Sequence, residues 1–285
     1  MKNTIFNALG LPAGRKTNGE YGLEIEAEGR GLPEMRTKYW RTERDGSLAA
    51  GMEAQEYVFN TPLSLEESRR AIDELANTYK LMGTQVEETE TSGVHVHVNV
   101  QDYTPREFFT LVTTYLVLEE LLLTYCGPYR QGNHFCLSSQ HAEGQVYELV
   151  QSAINRKFGN LNKEAIRYSS MNVYSLFKYG SVEFRAMRGT PDLEAIWEWM
   201  EIIDRVKNGA KQFKNPQEVI LSMSMDGEKN FITQVLGDKA KLFTKVKGCE
   251  EMVRRGAQFI QALAFVPDWK AWKDEKVNPF PKKDR

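Results

Sequence analysis

The chain has 285 residues, of which 41% are hydrophobic and 27% charged, a composition typical of globular proteins that can bury a sizeable core. Its formal net charge of -2 argues against direct binding of duplex nucleic acid and against a protein that coats anionic membranes. The three cysteines show no Cys-x-x-Cys spacing. This disfavours a structural zinc knuckle and favours a reducing compartment, so we expect a cytoplasmic protein.

Carboxylates line one face of the first predicted strand, residues 21–28. Three glutamates, Glu24, Glu26 and Glu28, alternate there with apolar residues, and a period of two is typical of a β-strand. Like charges along one face repel each other unless they are solvated or a positive group lies among them. Further strands are predicted at 38–42 and 56–60, and a capping box predicts a helix over 64–82.

A run of alternating valines and polar residues predicts the strand around which the chain is organised, residues 92–100. It places His95 and His97 on one face and the valines on the other. Two imidazoles one residue apart point into the same space, which suits a metal ion or a nucleotide phosphate. The alternative is a strand with one solvated face.

The stretch 108–125 is apolar enough to suggest a membrane span, but it carries Glu119 and Glu120 side by side near its centre. Adjacent carboxylates are costly in a bilayer, so we predict a buried helix and no membrane partner. A second capping box, formed by Thr104 and Glu107, predicts where this helix begins. A loop over 126–142 follows. Its His134 and His141 are interpreted as incidental. Its Arg130 is either a cation on a flap over a nucleotide site or an ordinary surface arginine.

The last part of the sheet is predicted as a hairpin, with strands over 171–177 and 181–187. The returning strand places Glu183 and Arg185 on one face. A carboxylate beside a guanidinium can be a simple surface pair, or a metal ligand beside a group that grips a phosphoryl oxygen.

These patterns predict one α+β domain over 1–285, with a mainly antiparallel sheet and helices packed on its apolar face. We expect a sheet region with its helices over 20–192, a helical extension over 193–266 and a tail over 267–285.

Taken in order, the motifs resemble those of the amidoligase family, a branch of the glutamine synthetase and γ-glutamylcysteine ligase superfamily. The resemblance spans residues 22–192. The motifs that carry it are Gly22-x-Glu24-x-Glu26, Asp45-Gly46-Ser47-Leu48, Glu56 ahead of Thr61-Pro62-Leu63, Ser92-Gly93-Val94-His95-Val96-His97-Val98, Asn172, and Val182-Glu183-Phe184-Arg185 with Gly189-Thr190.

The resemblance implies a glutamine-synthetase-like fold, a curved sheet whose polar concave face binds ATP with two or three Mg²⁺ or Mn²⁺ ions. It implies an enzyme that joins a carboxylate to an amine through an acyl phosphate. The implied metal ligands are Glu24, Glu26, Glu56, His95 and Glu183. The implied nucleotide-binding residues are His95, with its neighbour His97, and Arg185, and Arg167 is implied as a substrate- or phosphate-binding arginine. Arg130 joins the nucleotide-binding residues if its loop is a flap over the site. Asp45 or Glu53 is a candidate to deprotonate the amine.

Three alternatives stay open at the level of sequence. The first is a mononuclear metal-dependent hydrolase or oxygenase built on the His-x-His strand. Such sites usually contain a third histidine, or a carboxylate a few residues after the second histidine. The second is a guanidino phosphotransferase of the same superfold. The third is a degenerate domain that binds nucleotide without turnover. The identity of the carboxylate and amine substrates is open, and an oligomer is possible.

Overall fold

A computed structural model of the chain describes residues 3–43, 53–130, 132–142 and 144–269. The strands are β1 (Tyr21–Arg30), β2 (Trp40–Glu43), β3 (Glu53–Phe59), β4 (Gln85–Glu87), β5 (Gly93–Asn99), β6 (Met171–Asn172) and β7 (Ser181–Arg188). The helices are α1 (Ile5–Leu9), α2 (Leu65–Met82), α3 (Pro105–Leu123), α4 (Gln145–Asn155), α5 (Ser175–Tyr179), α6 (Leu193–Ala210), α7 (Pro216–Asp226), α8 (Glu228–Leu236), α9 (Ala240–Phe243) and α10 (Cys249–Ala264).

The strands form one open, seven-stranded sheet in the order β2-β3-β1-β5-β7-β6, with β4 paired to the far end of β1. The pairings between these strands are antiparallel. The predicted α+β class with a mainly antiparallel sheet is therefore confirmed. The strands that carry the glutamates, the histidines and Arg185, which are β1, β5 and β7, are direct neighbours at its centre.

Helices α2, α3 and α6 cover the apolar face of the sheet. Trp40 of β2 donates its indole N–H to the carbonyl of Ala71 in α2, at 2.7 Å. The ring of Phe184 in β7 packs 4.8 Å from that of Tyr115 in α3. These side chains are fully buried, and each large apolar side chain removed from water stabilises the fold by roughly 1.5–3 kcal/mol. Burial of this face leaves the opposite face free for polar residues.

The apolar stretch predicted as a buried helix is α3, and the prediction is confirmed. Glu119 lies inside the protein, where it accepts hydrogen bonds from Ser139, while Glu120 lies at the surface and pairs with Arg255. Within the part of the chain that the structure describes, the helices are too short or too polar to cross a membrane.

Two capping boxes begin the long helices at the predicted positions. Ser64 and Glu67 bond reciprocally at the start of α2, and Thr104 and Glu107 do the same at the start of α3. Each box satisfies two backbone N–H groups that would otherwise lack a partner at the helix end. The helix predicted after residue 192 is α6, and α7, α8, α9 and α10 follow it. Of these, α6, α7 and α10 pack against α3.

The predicted hairpin over 171–187 is wrong in its first strand. Only Met171 and Asn172 pair with β7, and the chain then turns into α5. The side-chain oxygen of Asn172 accepts the N–H of Tyr174 at 2.9 Å, and the Ser175 hydroxyl donates to the carbonyl of Asn172 at 3.0 Å. Such local bonds offer the backbone an alternative to the sheet ladder, so the strand ends after two residues.

Candidate active site

The strand register aligns the polar residues in rows across the face of the sheet opposite to α2, α3 and α6. Side chains on neighbouring strands that face each other directly are about 4.5–5.5 Å apart at their Cβ atoms, so each row is a set of contacting groups. One row consists of Glu24 and His95, a second of His97, Glu183 and Asn172, and a third of Glu43, Glu56 and Glu26.

Glu24, His95 and Glu183 form a cluster with the chemistry of a metal site. Nδ1 of His95 lies 3.2 Å from Oε2 of Glu24 and 3.5 Å from Oε1 of Glu183. One ligand atom from each of the three residues lies within 4.8 Å of those of the other two. Two carboxylates and one imidazole form a donor set suited to Mn²⁺ or Mg²⁺. The three residues come from three strands, so the sheet register assembles this cluster.

Further carboxylates extend the acidic side of the cleft. Oε1 of Glu26 lies 3.8 Å from Nε2 of His95. Glu56 faces Glu26 across β1 and β3, and Glu43 faces Glu56 across β2 and β3. All three line the same open cleft, which has a volume of about 870 Å³. A row of three carboxylates is unfavourable unless cations lie close to it, and Nε of Arg41 lies 2.5 Å from Oε1 of Glu43 at one end of the row.

Cationic side chains lie on the other side of this cleft. Arg185 of β7 donates from Nη1 to Glu183 and from Nε to the carbonyl of Phe135, at 3.3 Å for the second bond. Lys178 of α5 also lines the cleft. Arg167 lies at the rim, where 43% of its side chain is exposed and Nη1 lies 3.0 Å from Glu164. The strand order therefore places the carboxylates of β1, β2 and β3 on one, acidic, side of the histidine strand β5. Arg185 and Lys178 lie on the other, basic, side, where Arg185 pairs with Glu183.

Electrostatics keep the central carboxylates ionised despite their burial. Burial by itself raises the pKa of Glu24, but the positive charge and hydrogen bonds of His97 and His95 outweigh it and hold that pKa well below its ordinary value. Burial likewise raises the pKa of Glu183, and the charge of Arg185 reverses the shift. Ionised carboxylates are the form that binds a divalent cation.

His97 connects the cleft to its surroundings. Nε2 lies 3.2 Å from Oε1 of Glu24, and Nδ1 lies 3.1 Å from the hydroxyl of Ser181. The ring of Tyr179 approaches the imidazole edge-on, with the ring centres 5.7 Å apart. Burial lowers the pKa of His97, but the charges of Glu24 and Glu183 raise it more, so the pKa lies above its ordinary value.

A second, less polar pocket of about 650 Å³ adjoins the cleft and shares Glu24, His97 and Tyr179 with it. Gly22 of β1 and Val58 of β3 line it. A Cβ at position 22 would lie 3.2 Å from the Cβ of His97. The absence of a side chain at Gly22 therefore keeps the pocket open.

Arg130 is buried beside Gly93 and Glu26 and does not line the cleft as a flap cation. It is only 2% exposed. Its guanidinium donates to the carbonyl of Arg185 at 2.7 Å and to that of Ser92 at 3.3 Å. A buried guanidinium whose two terminal nitrogens both donate to backbone carbonyls is not placed to reach a bound nucleotide.

Glu53, one of the two candidates for the proton acceptor, does not line the cleft. Glu53 pairs with Gly29, three residues along β3 from Glu56, and an odd spacing on a strand places the two side chains on opposite faces. Its Oε2 accepts the backbone N–H of Leu32 at 3.2 Å. Asp45 lies outside the described residues. His134 lines a separate depression near Glu90.

Sequence reasoning missed the contribution of α5 and the end of β2 to the cleft. The residues concerned are Glu43, Tyr174, Ser175, Lys178 and Tyr179. The signal for α5 was present, because an Asn with a Ser three residues later is a common way to start a turn. For Glu43 the signal was its place on a strand antiparallel to the one that carries Glu56.

Comparison with known proteins identifies a family. No curated protein is significantly similar to the chain. The model of the family described as "Putative amidoligase enzyme" matches residues 58–206, just over half of the chain. The matched segment includes the His-x-His strand, Asn172, Glu183 and Arg185, whereas Glu24, Glu26 and Glu56 precede it. The chain therefore belongs to this amidoligase family, whose description is that of ligases forming amide bonds.

Proposed function

We propose that the protein is an ATP-dependent carboxylate–amine ligase, which forms an amide bond through an acyl phosphate. The observation that carries the proposal is the division of the cleft around Glu24, His95 and Glu183 into an acidic side and a basic side. A metal-bound triphosphate needs both: carboxylates for the divalent cations and guanidinium or ammonium groups for the phosphoryl oxygens. Membership of an amidoligase family supports amide formation as the outcome.

The donor set fits Mg²⁺ or Mn²⁺. Glu24, His95 and Glu183 would hold one ion, and Glu26 and Glu56 offer carboxylate oxygens for a further ion in the same cleft. When bound, such ions neutralise charge on the phosphoryl oxygens of ATP. We also propose that the sheet is glutamine-synthetase-like, since its polar face bears this donor set on adjacent antiparallel strands.

The basic side of the cleft acts on the transferring phosphoryl group. Arg185 is rigidly held by Glu183 and by the carbonyl of Phe135, so its remaining donors are oriented before substrate arrives. A fixed cation directed at developing charge is worth several kcal/mol in comparable sites, about 2.7–4 kcal/mol for one donor. Lys178 and Arg167 add positive charge at the mouth of the cleft, where they attract anionic substrates.

The pocket beside Gly22 suits the uncharged part of the nucleotide. It adjoins the polar cleft at His97 and Tyr179, and it is less polar than the cleft. A triphosphate in the cleft would leave the sugar and the base next to this pocket. The flat floor at Gly22 and the apolar side chain of Val58 accept a planar group.

In the reaction we propose, a carboxylate oxygen of the substrate attacks the γ-phosphorus of ATP, and ADP leaves. The amine nitrogen then attacks the acyl carbon, phosphate leaves with the bonding electrons, and the nitrogen loses a proton. The nitrogen must be neutral to attack, so a carboxylate should accept this proton. Among the described carboxylates Glu43 is placed for this role, because it lines the cleft but is not one of the carboxylates that would hold the metal ions.

The test is a turnover assay with ATP, Mg²⁺ and a mixture of amino acids, dicarboxylates and polyamines. We expect phosphate release that depends on an amine, together with a new product whose mass equals the two substrates less water. Phosphate release with a phosphorylated guanidino product would indicate the phosphotransferase instead. Cleavage of a substrate without ATP would indicate the metal-dependent hydrolase.

A further inference from the structure

We propose that Arg130 is a positioning residue, which fixes a β-bulge in β7 and through it holds Arg185 in the cleft. The effect on catalysis rests on the proposed function, whereas the structural contacts behind the positioning role are independent of it. They concern one guanidinium, two backbone carbonyls and a glycine.

The bulge lies where β5 and β7 pair. Val94 faces Met187 and Val96 faces Phe184, so His95 alone stands opposite two residues, Arg185 and Ala186. A bulge of this kind interrupts the ladder and re-aims the side chains around it. Arg185 shares the cleft face with Glu183, two residues before it, and the extra residue of the bulge then turns Met187 away from that face to pair with the buried Val94.

The backbone of the bulge needs partners outside the β5 ladder. The N–H of Arg185 donates to the carbonyl of Ser170 at 2.7 Å. The carbonyl of Arg185 accepts from Nη2 of Arg130, also at 2.7 Å. A buried carbonyl without a partner costs about 1–3 kcal/mol, so this bond favours the bulged conformation over a regular ladder.

A missing side chain makes room for the guanidinium. A Cβ at Gly93 would lie 2.9 Å from Nη2 of Arg130 and 3.1 Å from Oε2 of Glu26. Any larger residue at position 93 would therefore push on both charged groups. This gives a physical reason for glycine in the Ser-Gly-x-His-x-His motif, which its sequence pattern alone does not supply.

The same region of the chain holds Arg185 by both ends. Arg130 binds its carbonyl, and the carbonyl of Phe135 accepts its Nε–H. Arg130 itself ends a short 3-10 helix, Pro128–Arg130, and the thiol of Cys136 lies 3.6 Å from the Arg130 carbonyl. Arg130 thus acts on the cleft through Arg185 and touches no substrate.

The test compares Arg130→Met with a matched control, Arg188→Met. Arg188 lies on the bulged strand, β7, and also donates to a carbonyl, that of Tyr125 at 3.1 Å. Its other side-chain hydrogen bond is to Glu88, and neither partner belongs to the bulge. The direct readout is the Nε–H resonance of Arg185 in ¹⁵N spectra, assigned with Arg185→Lys. We expect this resonance to shift and to exchange with water faster in Arg130→Met, and to stay unchanged in Arg188→Met.

The second readout is the rate of ATP turnover. If Arg185 is displaced by about 1 Å, we expect kcat for ATP turnover to fall on the order of 100-fold in Arg130→Met, with a smaller change in KM. Absence of turnover in the wild-type protein would refute the proposed function and leave the resonance test intact. An unchanged Arg185 resonance in folded Arg130→Met would overturn the positioning role, as would an equal shift in Arg188→Met.

A second variant covers the case in which Arg130→Met does not fold. Gly93→Ala keeps the guanidinium and places a methyl group against it, so it should shift the Arg185 resonance in the same direction. An unchanged resonance in Gly93→Ala would overturn the proposal. So would failure of both variants to fold beside a folded Arg188→Met, because Arg130 would then serve stability alone.

Discussion

Glu24 on β1 lies directly opposite His95 on β5, with 3.2 Å between Oε2 of the first and Nδ1 of the second. The other oxygen of Glu24 lies 3.2 Å from Nε2 of His97. One carboxylate therefore contacts both imidazoles of the His-x-His motif. Its ionised form neutralises positive charge that would otherwise be buried at this point of the sheet.

Glu24→Gln tests this relationship. The amide keeps the size of the side chain but removes the charge, so we expect Mn²⁺ affinity and ATP turnover to fall more than the roughly 10–100-fold that follows loss of an outer-shell partner. Mn²⁺ binding by electron paramagnetic resonance and the far-UV circular dichroism spectrum would be measured on the same sample.

His134→Ala is the control for that experiment, because His134 lies in a different depression. It should leave Mn²⁺ binding and turnover within about twofold of wild type, in line with surface substitutions that touch no site. Wild-type metal binding in Glu24→Gln, or loss of activity in His134→Ala, would mean that the site is elsewhere.

Two glutamates on one strand provide a test of the sheet geometry. Glu56 lines the cleft, whereas Glu53 lies on the other face and binds the N–H of Leu32. Glu56→Gln should lower turnover at least about tenfold, since a cleft carboxylate is lost. Glu53→Gln keeps an oxygen that can accept the Leu32 N–H, so turnover should stay within about twofold. Equal effects in the two variants would contradict the assignment of faces; the measurement is the initial rate of phosphate release.

The alternation of residues was sufficient to predict most of the site. The period of two in β1, β5 and β7 placed Glu24, His95 and Glu183 on polar faces, and the antiparallel sheet brought those faces together. The same rule could have excluded Glu53, since it lies three residues from Glu56. Capping residues likewise predicted where α2 and α3 begin.

Contacts between distant parts of the chain were beyond local patterns. Local sequence predicts Arg130 to be a loop cation, because nothing near it in the sequence shows that its guanidinium is buried beside Gly93. The alternation of residues also does not predict the bulge opposite His95, since the bulge depends on how β7 pairs with β5. Both features are set by tertiary packing, which overrides local preference.

Gly22→Val tests the pocket next to the cleft. The larger side chain would press on His97 and fill the pocket, and overpacking of this kind costs about 1–3 kcal/mol. We expect KM for ATP to rise about tenfold or more, with Mn²⁺ binding retained. Gly14→Val is the control, because a Cβ at position 14 meets no other atom within 4 Å. An unchanged KM in Gly22→Val would remove the pocket from the nucleotide site.

Glu119 should make the stability of the fold depend on pH. Burial raises the pKa of this carboxyl above its ordinary value, although hydrogen bonds from Ser170 and Ser139 oppose the shift. The folded state therefore binds the Glu119 proton more tightly than the unfolded state does. The stability due to this group is fully present below the unfolded pKa and is lost as pH rises through the folded pKa.

Glu119→Gln removes that dependence. We compare the free energy of unfolding of wild type with that of Glu119→Gln. The difference, wild type minus variant, should decrease as pH rises above about 4.5, the ordinary pKa of the carboxyl. The total decrease should be about 1.4 kcal/mol for each unit by which folding raises that pKa. Urea unfolding at several pH values measures it. Glu120→Gln is the control, since Glu120 only pairs with Arg255 at the surface, and such pairs contribute about 0–1 kcal/mol. A difference that grew with pH would mean that Glu119 is held as a stabilised anion, with its hydrogen bonds outweighing its burial.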